Sequence, residues 1–252
     1  MAERIWDKFL TERDKQVFAA GGFGATMEPG KRPVLLIIDV NYNFCGDRPE
    51  PILESIKRWH TSCGQDAWDA LPHIKTLIDA CRRKGLPVIY TTGLERRADG
   101  WDAGAWAYKN KRTDEHLTKA PQTNRDGNDI MDEIAPGPKD IVVRKEKPSA
   151  FFGTGLMGYL TKLGADSIIV TGTTTSGCVR GSVIDGFSYN YRLQVVEEGC
   201  FDRSQASHAI NLADMNAKYA DVVNIDKALA FIESLPDDLF AETLPAGKSA
   251  RG

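Results

Sequence analysis

Cys178 closes the run Ile168-Ile169-Val170-Thr171-Gly172-Thr173-Thr174-Thr175-Ser176-Gly177-Cys178. An apolar, strand-like segment empties into small and hydroxyl residues, and the cysteine falls where a new helix is expected to begin. A helix N-terminus presents unpaired backbone N–H groups and the positive end of a dipole. A thiol there has its thiolate stabilised. A nucleophile and oxyanion donors would then share one turn.

Two other residues sit at equivalent places. Asp39 ends the apolar run Val34-Leu35-Leu36-Ile37-Ile38. It reads either as a site carboxylate or as an Asx turn or helix cap. Lys145 follows Asp140-Ile141-Val142-Val143-Arg144 and precedes Glu146-Lys147-Pro148-Ser149-Ala150-Phe151-Phe152-Gly153-Thr154. Basic residues around one glutamate fit a solvated loop equally well, but the two adjacent aromatics look like a pocket wall. Together, three strand ends would supply a carboxylate, an ammonium and a thiol. An ordinary cysteine is only about 3% thiolate at pH 7. Lowering its pKa by about two units, worth about 2.7 kcal/mol, would make it about three-quarters thiolate. A neighbouring lysine and a helix N-terminus are the expected means, with the carboxylate moving the proton.

The elements that must position these groups alternate. Strands are expected at 34–39, 88–91, 140–144, 167–171, 193–196 and 220–225. Helices are expected at 70–83, 156–163, 177–191 and 205–218. Short apolar runs separated by amphipathic segments predict an α/β fold: one three-layer, doubly wound domain with a central parallel sheet of about six strands and helices on both faces. Ligands in such sheets sit at the carboxyl ends of the strands. Residues 1–31 read as an N-terminal arm with a short helix at 3–17, either docked on a neighbouring subunit or frayed. The α/β body runs over 32–236, and 237–252 reads as a loosely ordered tail. Trp101, Trp106 and Tyr108 lie in a loop-rich stretch as either a lid or core packing.

Composition narrows the classes. The chain has 252 residues and a formal net charge of −3, which gives no reason to expect a nucleic-acid or anionic-membrane partner. No apolar run reaches the length of a membrane span. The five cysteines, Cys45, Cys63, Cys81, Cys178 and Cys200, are irregularly spaced and form no C-x-x-C pair. This argues for a reduced, cytoplasmic protein in which four of them are small buried apolar groups.

Asp39 after Leu-Leu-Ile-Ile, Lys145 before Pro-Ser-Ala-Phe-Phe-Gly-Thr, and Thr-Gly-Thr-Thr-Thr-Ser-Gly-Cys-Val-Arg occur in one order, from about residue 32 to 232. As a set they resemble the isochorismatase-like cysteine hydrolases, nearest the N-carbamoylsarcosine amidase branch, with relatives acting on maleamate, ureidoacrylate, biuret and triuret. The resemblance implies that Asp39 takes the Cys178 proton and that Lys145 holds the pair. It implies a cis peptide between Thr173 and Thr174, an oxyanion hole from the N–H groups of Thr174 and Cys178, a thioester intermediate, and a homo-oligomer, dimer or tetramer. In this branch an arginine past the fifth strand grips a substrate carboxylate, and Arg203 matches it. A salt bridge to Asp202 or a helix N-terminal contact is the alternative. Asn41, Phe44, Phe151 and Phe152 are the expected pocket walls, and Arg180 reads as structural. The nicotinamidase branch carries an Asp and two His after the first strand. Here that region, Asn41-Tyr42-Asn43-Phe44-Cys45-Gly46-Asp47, has no histidine, and His60, His73, His116 and His208 are scattered. No metal and no cofactor are therefore expected. The presence of Cys178 argues against vinyl-ether cleavage, since true isochorismatases lack that nucleophile. The sequence thus reads as a cysteine amidohydrolase taking a small-molecule amide or urea. A non-catalytic α/β scaffold or a metal-dependent nicotinamidase-like hydrolase are the alternatives.

Overall fold

The computed structural model describes residues 4–95, 97, 99–109 and 125–243. Its centre is a six-stranded sheet in the order β3-β2-β1-β4-β5-β6, with every pairing parallel. The strands are β1 (Pro33–Ile38), β2 (Val88–Gly93), β3 (Ile141–Lys145), β4 (Ser167–Thr173), β5 (Arg192–Phe201) and β6 (Asp221–Val223). The chain builds outward from β1 to β3, then returns to β4 and builds outward on the other side. Strand order therefore reverses between β1 and β4, the point at whose carboxyl ends ligands sit in such sheets.

β1 and β4 are buried along their whole length, as their continuous apolar runs require of strands covered on both faces. β3 is an edge strand and behaves differently. Val143 and Lys145 are buried while Val142 and Arg144 are exposed, so the period of two directs the lysine inward with the valine.

The helices are α1 (Glu12–Gly21), α2 (Tyr42–Cys45), α3 (Ile52–Ser55), α4 (Gln65–Arg83), α5 (Trp106–Lys109), α6 (Leu156–Leu163), α7 (Arg180–Ser188), α8 (Gln205–Lys218) and α9 (Ile225–Ser234). α4 and α9 pack together against one face of the sheet; α7 and α8 pack together on the other. α4 begins five residues before the expected start and carries Pro72 inside it. Ala67, Ala70, Leu71, Ile74, Leu77 and Ile78 hold it on the sheet, and that burial outweighs one missing backbone hydrogen bond. α9 was not expected. Asn224, assigned by sequence to the last strand, accepts a hydrogen bond from the Lys227 N–H and caps this helix instead.

The chain ends differ from expectation. The first helix starts at the Thr11–Asp14 capping box rather than at residue 3. Residues 4–10 dock on the chain's own body: Trp6 is buried in the core, and Arg4 stacks 4.2 Å over the Trp6 ring and pairs with Glu197 at 3.0 Å. At the other end Phe240 is fully buried, with the Arg32 guanidinium 4.4 Å from its ring centre. An apolar aromatic within a polar tail supplies the burial that docks residues 237–243. Among the described residues no helix is long and apolar enough to cross a membrane.

Candidate active site

β1 stops because Asp39 takes a left-handed conformation, φ 54°, which aspartate tolerates better than most residues. Its N–H donates to the Thr91 carbonyl at 3.1 Å, and the Thr91 hydroxyl donates to Asp39 Oδ1 at 2.8 Å. Lys145 Nζ lies 2.7 Å from the other oxygen, Oδ2, and donates to the Lys147 carbonyl at 3.1 Å. Both side chains are about 95% shielded from solvent. Such a pair holds only when each charge has its partners in place, and here they are present. Despite burial, Asp39 and then Cys178 hold the Lys145 pKa above its ordinary value, so this lysine stays charged.

β4 delivers Cys178 through a tight passage. Gly172 lies opposite Ile38 at φ +108°, and a Cβ there would meet the Ile38 carbonyl oxygen at 2.1 Å. Only glycine lets β4 pass β1 at this level. The Thr173–Thr174 peptide is cis. A π-type turn, Thr175–Val179, then carries Cys178 into α7, with the Thr174 carbonyl accepting from the N–H groups of Gly177 and Val179. Cys178 is half-buried, whereas Cys45, Cys63, Cys81 and Cys200 are fully buried and all five are free thiols.

The electrostatics at Cys178 differ from the expectation of a lowered pKa. Burial, followed by the nearby Asp39 carboxylate, pushes the thiol up to about 12, and Lys145 offsets this only in part. The cysteine lies within the turn rather than ahead of a helix, and it faces an anion as well as a cation. The raised pKa makes the resting sulfur a thiol beside the Asp39–Lys145 pair.

Of the remaining expected residues, the structure brings together Phe44 and Arg203, whose guanidinium carbon lies 5.9 Å from the ring centre. Arg203 makes no ion pair among the described residues, because the Asp202 carboxylate is occupied by the N–H groups of Ser176 and Arg203 and by the Ser176 hydroxyl. Thr174 is buried at the head of the turn. Asn41 is buried beside Asp39, but its side chain caps α2 and donates to Thr92 Oγ1 at 3.0 Å, so it organises the site's floor rather than lining it. The two aromatics after Lys145 are not a pocket wall. Phe151 packs on Tyr189 and Tyr191 at the far end of α7, because an aromatic next to Gly186 fills the space that glycine leaves. Phe152 projects into solvent, 66% exposed.

Arg180 donates to Asn211 Oδ1 at 3.1 Å and ties α7 to α8. Trp101 and Tyr108 are exposed, so core packing does not apply to them. His116 lies outside the described residues. Among the described residues no group of three His, Cys, Asp or Glu side chains is arranged to hold a metal ion. Sequence reasoning missed Thr91 and the residues that fasten the Cys178 turn, Ser176, Asp202 and His208. Thr91-Thr92-Gly93 at the end of β2 was a readable signal, since hydroxyls ending an apolar strand at a carboxyl edge are placed to hydrogen-bond.

A parallel sheet with strand order reversing at β1 and β4, and polar groups gathered at that point, is a doubly wound α/β fold. The structure of N-carbamoylsarcosine amidase from Thermoplasma acidophilum superposes with a TM-score of 0.59 at 25% identity, covering 77% of this chain and 97% of that one. The Isochorismatase domain model matches residues 33–227, and the chain belongs to that family, among its amidohydrolases. N-carbamoylsarcosine amidase from Arthrobacter sp is 34% identical over 239 residues, covering 93% of this chain and 83% of that protein. Maleamate amidohydrolase from Pseudomonas putida is 27% identical over 220 residues, covering 85% and 93%.

Proposed function

We propose that the protein is a cysteine-dependent amidohydrolase that releases ammonia from a small linear amide or urea bearing a carboxylate, such as an N-carbamoyl amino acid or a maleamate-like acid amide. The observation that carries this reading is the buried Asp39–Lys145 pair, 2.7 Å apart, facing the half-buried Cys178 thiol.

The chemistry follows from the charges. Substrate entry brings a carbonyl carbon against Cys178 Sγ. The S–H proton passes to Asp39 as the S–C bond forms. Lys145 balances the negative charge, which moves from Asp39 to the sulfur and then to the carbonyl oxygen. The N–H groups of Thr174 and Cys178 receive that oxyanion. The C–N bond breaks as Asp39 returns its proton to the leaving nitrogen, giving ammonia and a thioester. Water then attacks the thioester, Asp39 takes the water's proton, and the sulfur leaves and is reprotonated. Arg203 grips the substrate carboxylate with its planar guanidinium. The absence of an ion pair to Arg203 among the described residues supports this role, and its guanidinium carbon lies 5.9 Å from the Phe44 ring centre.

The test is ammonia release from N-carbamoylsarcosine, maleamate, ureidoacrylate, biuret, triuret and nicotinamide by the wild type and Cys178→Ser. Turnover of the acids by the wild type alone is expected. Turnover restricted to biuret and triuret would move the substrate class to neutral ureas, and an active Cys178→Ser would overturn the mechanism.

A further inference from the structure

The turn that carries Cys178 is fastened from behind. Thr173 and Thr175 hydroxyls both donate to the Phe201 carbonyl, at 3.1 and 3.2 Å. Thr175 Oγ1 also meets His208 Nδ1 at 2.7 Å. The strongest fastening is ionic. Asp202 Oδ2 accepts both the backbone N–H and the hydroxyl of Ser176, each at 2.7 Å. Its second oxygen, Oδ1, accepts the Arg203 N–H at 2.7 Å. Asp202 is itself buried, so these are charge-assisted bonds in a low-dielectric setting and are stronger than neutral ones.

We infer that Asp202 is a positioning residue for the reaction: one carboxylate fixes the nucleophile turn and the Arg203 backbone as a single unit. This rests on the amidohydrolase reading for its kinetic consequence, though not for its structural one. Ser176 lies midway between Thr174 and Cys178, the two residues whose N–H groups receive the oxyanion. Oxyanion donors work by being held in place before charge develops, and a displacement of about 1 Å is enough to cost about a hundredfold in rate. The bonds of Asp202 go to the Ser176 N–H and hydroxyl and to the Arg203 N–H, so what it sets is where the turn sits.

An asparagine at 202 has one acceptor and one donor end, so it can serve either Ser176 or Arg203 but not both. Asp202→Asn is expected to lower kcat about tenfold or more, with KM for a neutral substrate changed less than about threefold. Amide hydrogen exchange over residues 174–180 is expected to speed up about tenfold, with the far strands unaffected. Ser176→Ala keeps the backbone bond and is expected to lower kcat by no more than about threefold. The rate of Cys178 alkylation by iodoacetamide is expected to stay within about twofold of wild type in both variants. Unchanged kcat in Asp202→Asn overturns the inference, as does unchanged exchange over the turn. A rise in KM and alkylation together would show general loosening and overturn it too. If the wild type releases no ammonia from any substrate but exchange over the turn still rises, the amidohydrolase reading fails and the fastening of the turn by Asp202 stands.

Discussion

Lys145 Nζ and Asp39 Oδ2 are 2.7 Å apart, although β2 separates the strands that carry them. The lysine crosses β2 at the level where Gly93 pairs with it. Its ammonium then lies against a carboxylate whose other oxygen is already taken by Thr91. Removing one member leaves an uncompensated buried charge. Lys145→Met is expected to destabilise the fold by about 3–5 kcal/mol, measured by urea unfolding, and to abolish turnover. The double variant Lys145→Met, Asp39→Leu removes both charges and is expected to recover most of that stability while staying inactive. Equal instability of the single and double variants would mean that packing, not charge, is what the single variant loses.

The thiol's raised pKa has a direct signature in its alkylation rate. Below the pKa, the thiolate fraction grows tenfold per pH unit. With the pKa near 12, about one molecule in ten thousand carries the thiolate at pH 8. The rate of Cys178 modification by iodoacetamide, with Cys178→Ser as the blank, is expected to climb about tenfold per unit from pH 7 to 10. A plateau below pH 9 would show that Lys145 prevails over burial and Asp39, and that the enzyme rests as a thiolate.

The glycine at the switch point is expected to tolerate no substitution. In Gly172→Ala the new methyl would lie 2.1 Å from the Ile38 carbonyl oxygen, at a φ of +108°. Both strands are backbone there, so neither gives way cheaply. A loss of about 3 kcal/mol or more is expected, read as a fall in the urea midpoint. Activity is expected to fall with it, because Ile38 immediately precedes Asp39.

How much of this was legible depends on how local each determinant is. The apolar strands before Asp39 and Lys145 are local, and they placed two charged groups at strand ends. The turn that carries Cys178 after β4 was legible from its small residues. Asp202 was not, because its bond to Ser176 spans 26 residues and depends on β5 running to Phe201 through a register shift beside Gly172. A short apolar run had suggested only 193–196. Phe151 and Phe152 were misread because adjacency to Lys145 gives no direction. One turns to the core against Gly186 and the other to solvent. The raised thiol pKa was not legible because its main cause, burial of the sulfur, followed by the Asp39 carboxylate, depends on tertiary packing that outweighs the Lys145 ammonium.

His208 links the turn to acid stability. Burial lowers its pKa, with Asp202 partly opposing. The unfolded chain therefore binds a proton more readily than the folded one as pH falls below about 6.5. The stability from keeping His208 neutral is full above that pH and is lost as pH falls through the lowered folded value. The unfolding free energy is expected to decline between pH 7 and 5, with His208 contributing at most about 1.4 kcal/mol per unit. His208→Gln is expected to give a less stable protein at pH 7 with a shallower decline. An unchanged slope would place the acid sensitivity elsewhere.

On the proposed function, Arg203 is the residue expected to separate acids from neutral ureas. Its guanidinium is stacked near Phe44 and makes no ion pair among the described residues, so no internal carboxylate competes for it. A charge-assisted bond to a bound carboxylate is worth about 1.5–3 kcal/mol, which is about tenfold to 150-fold in affinity. Arg203→Gln is expected to raise KM for N-carbamoyl or maleamate-type acids by that factor and to leave KM for a neutral amide nearly unchanged. Arg203→Lys keeps the charge but loses the planar fork, so it is expected to recover only part of the loss. If both variants treat acids and neutral substrates alike, the arginine serves the fold beside Phe44 and the carboxylate is bound elsewhere.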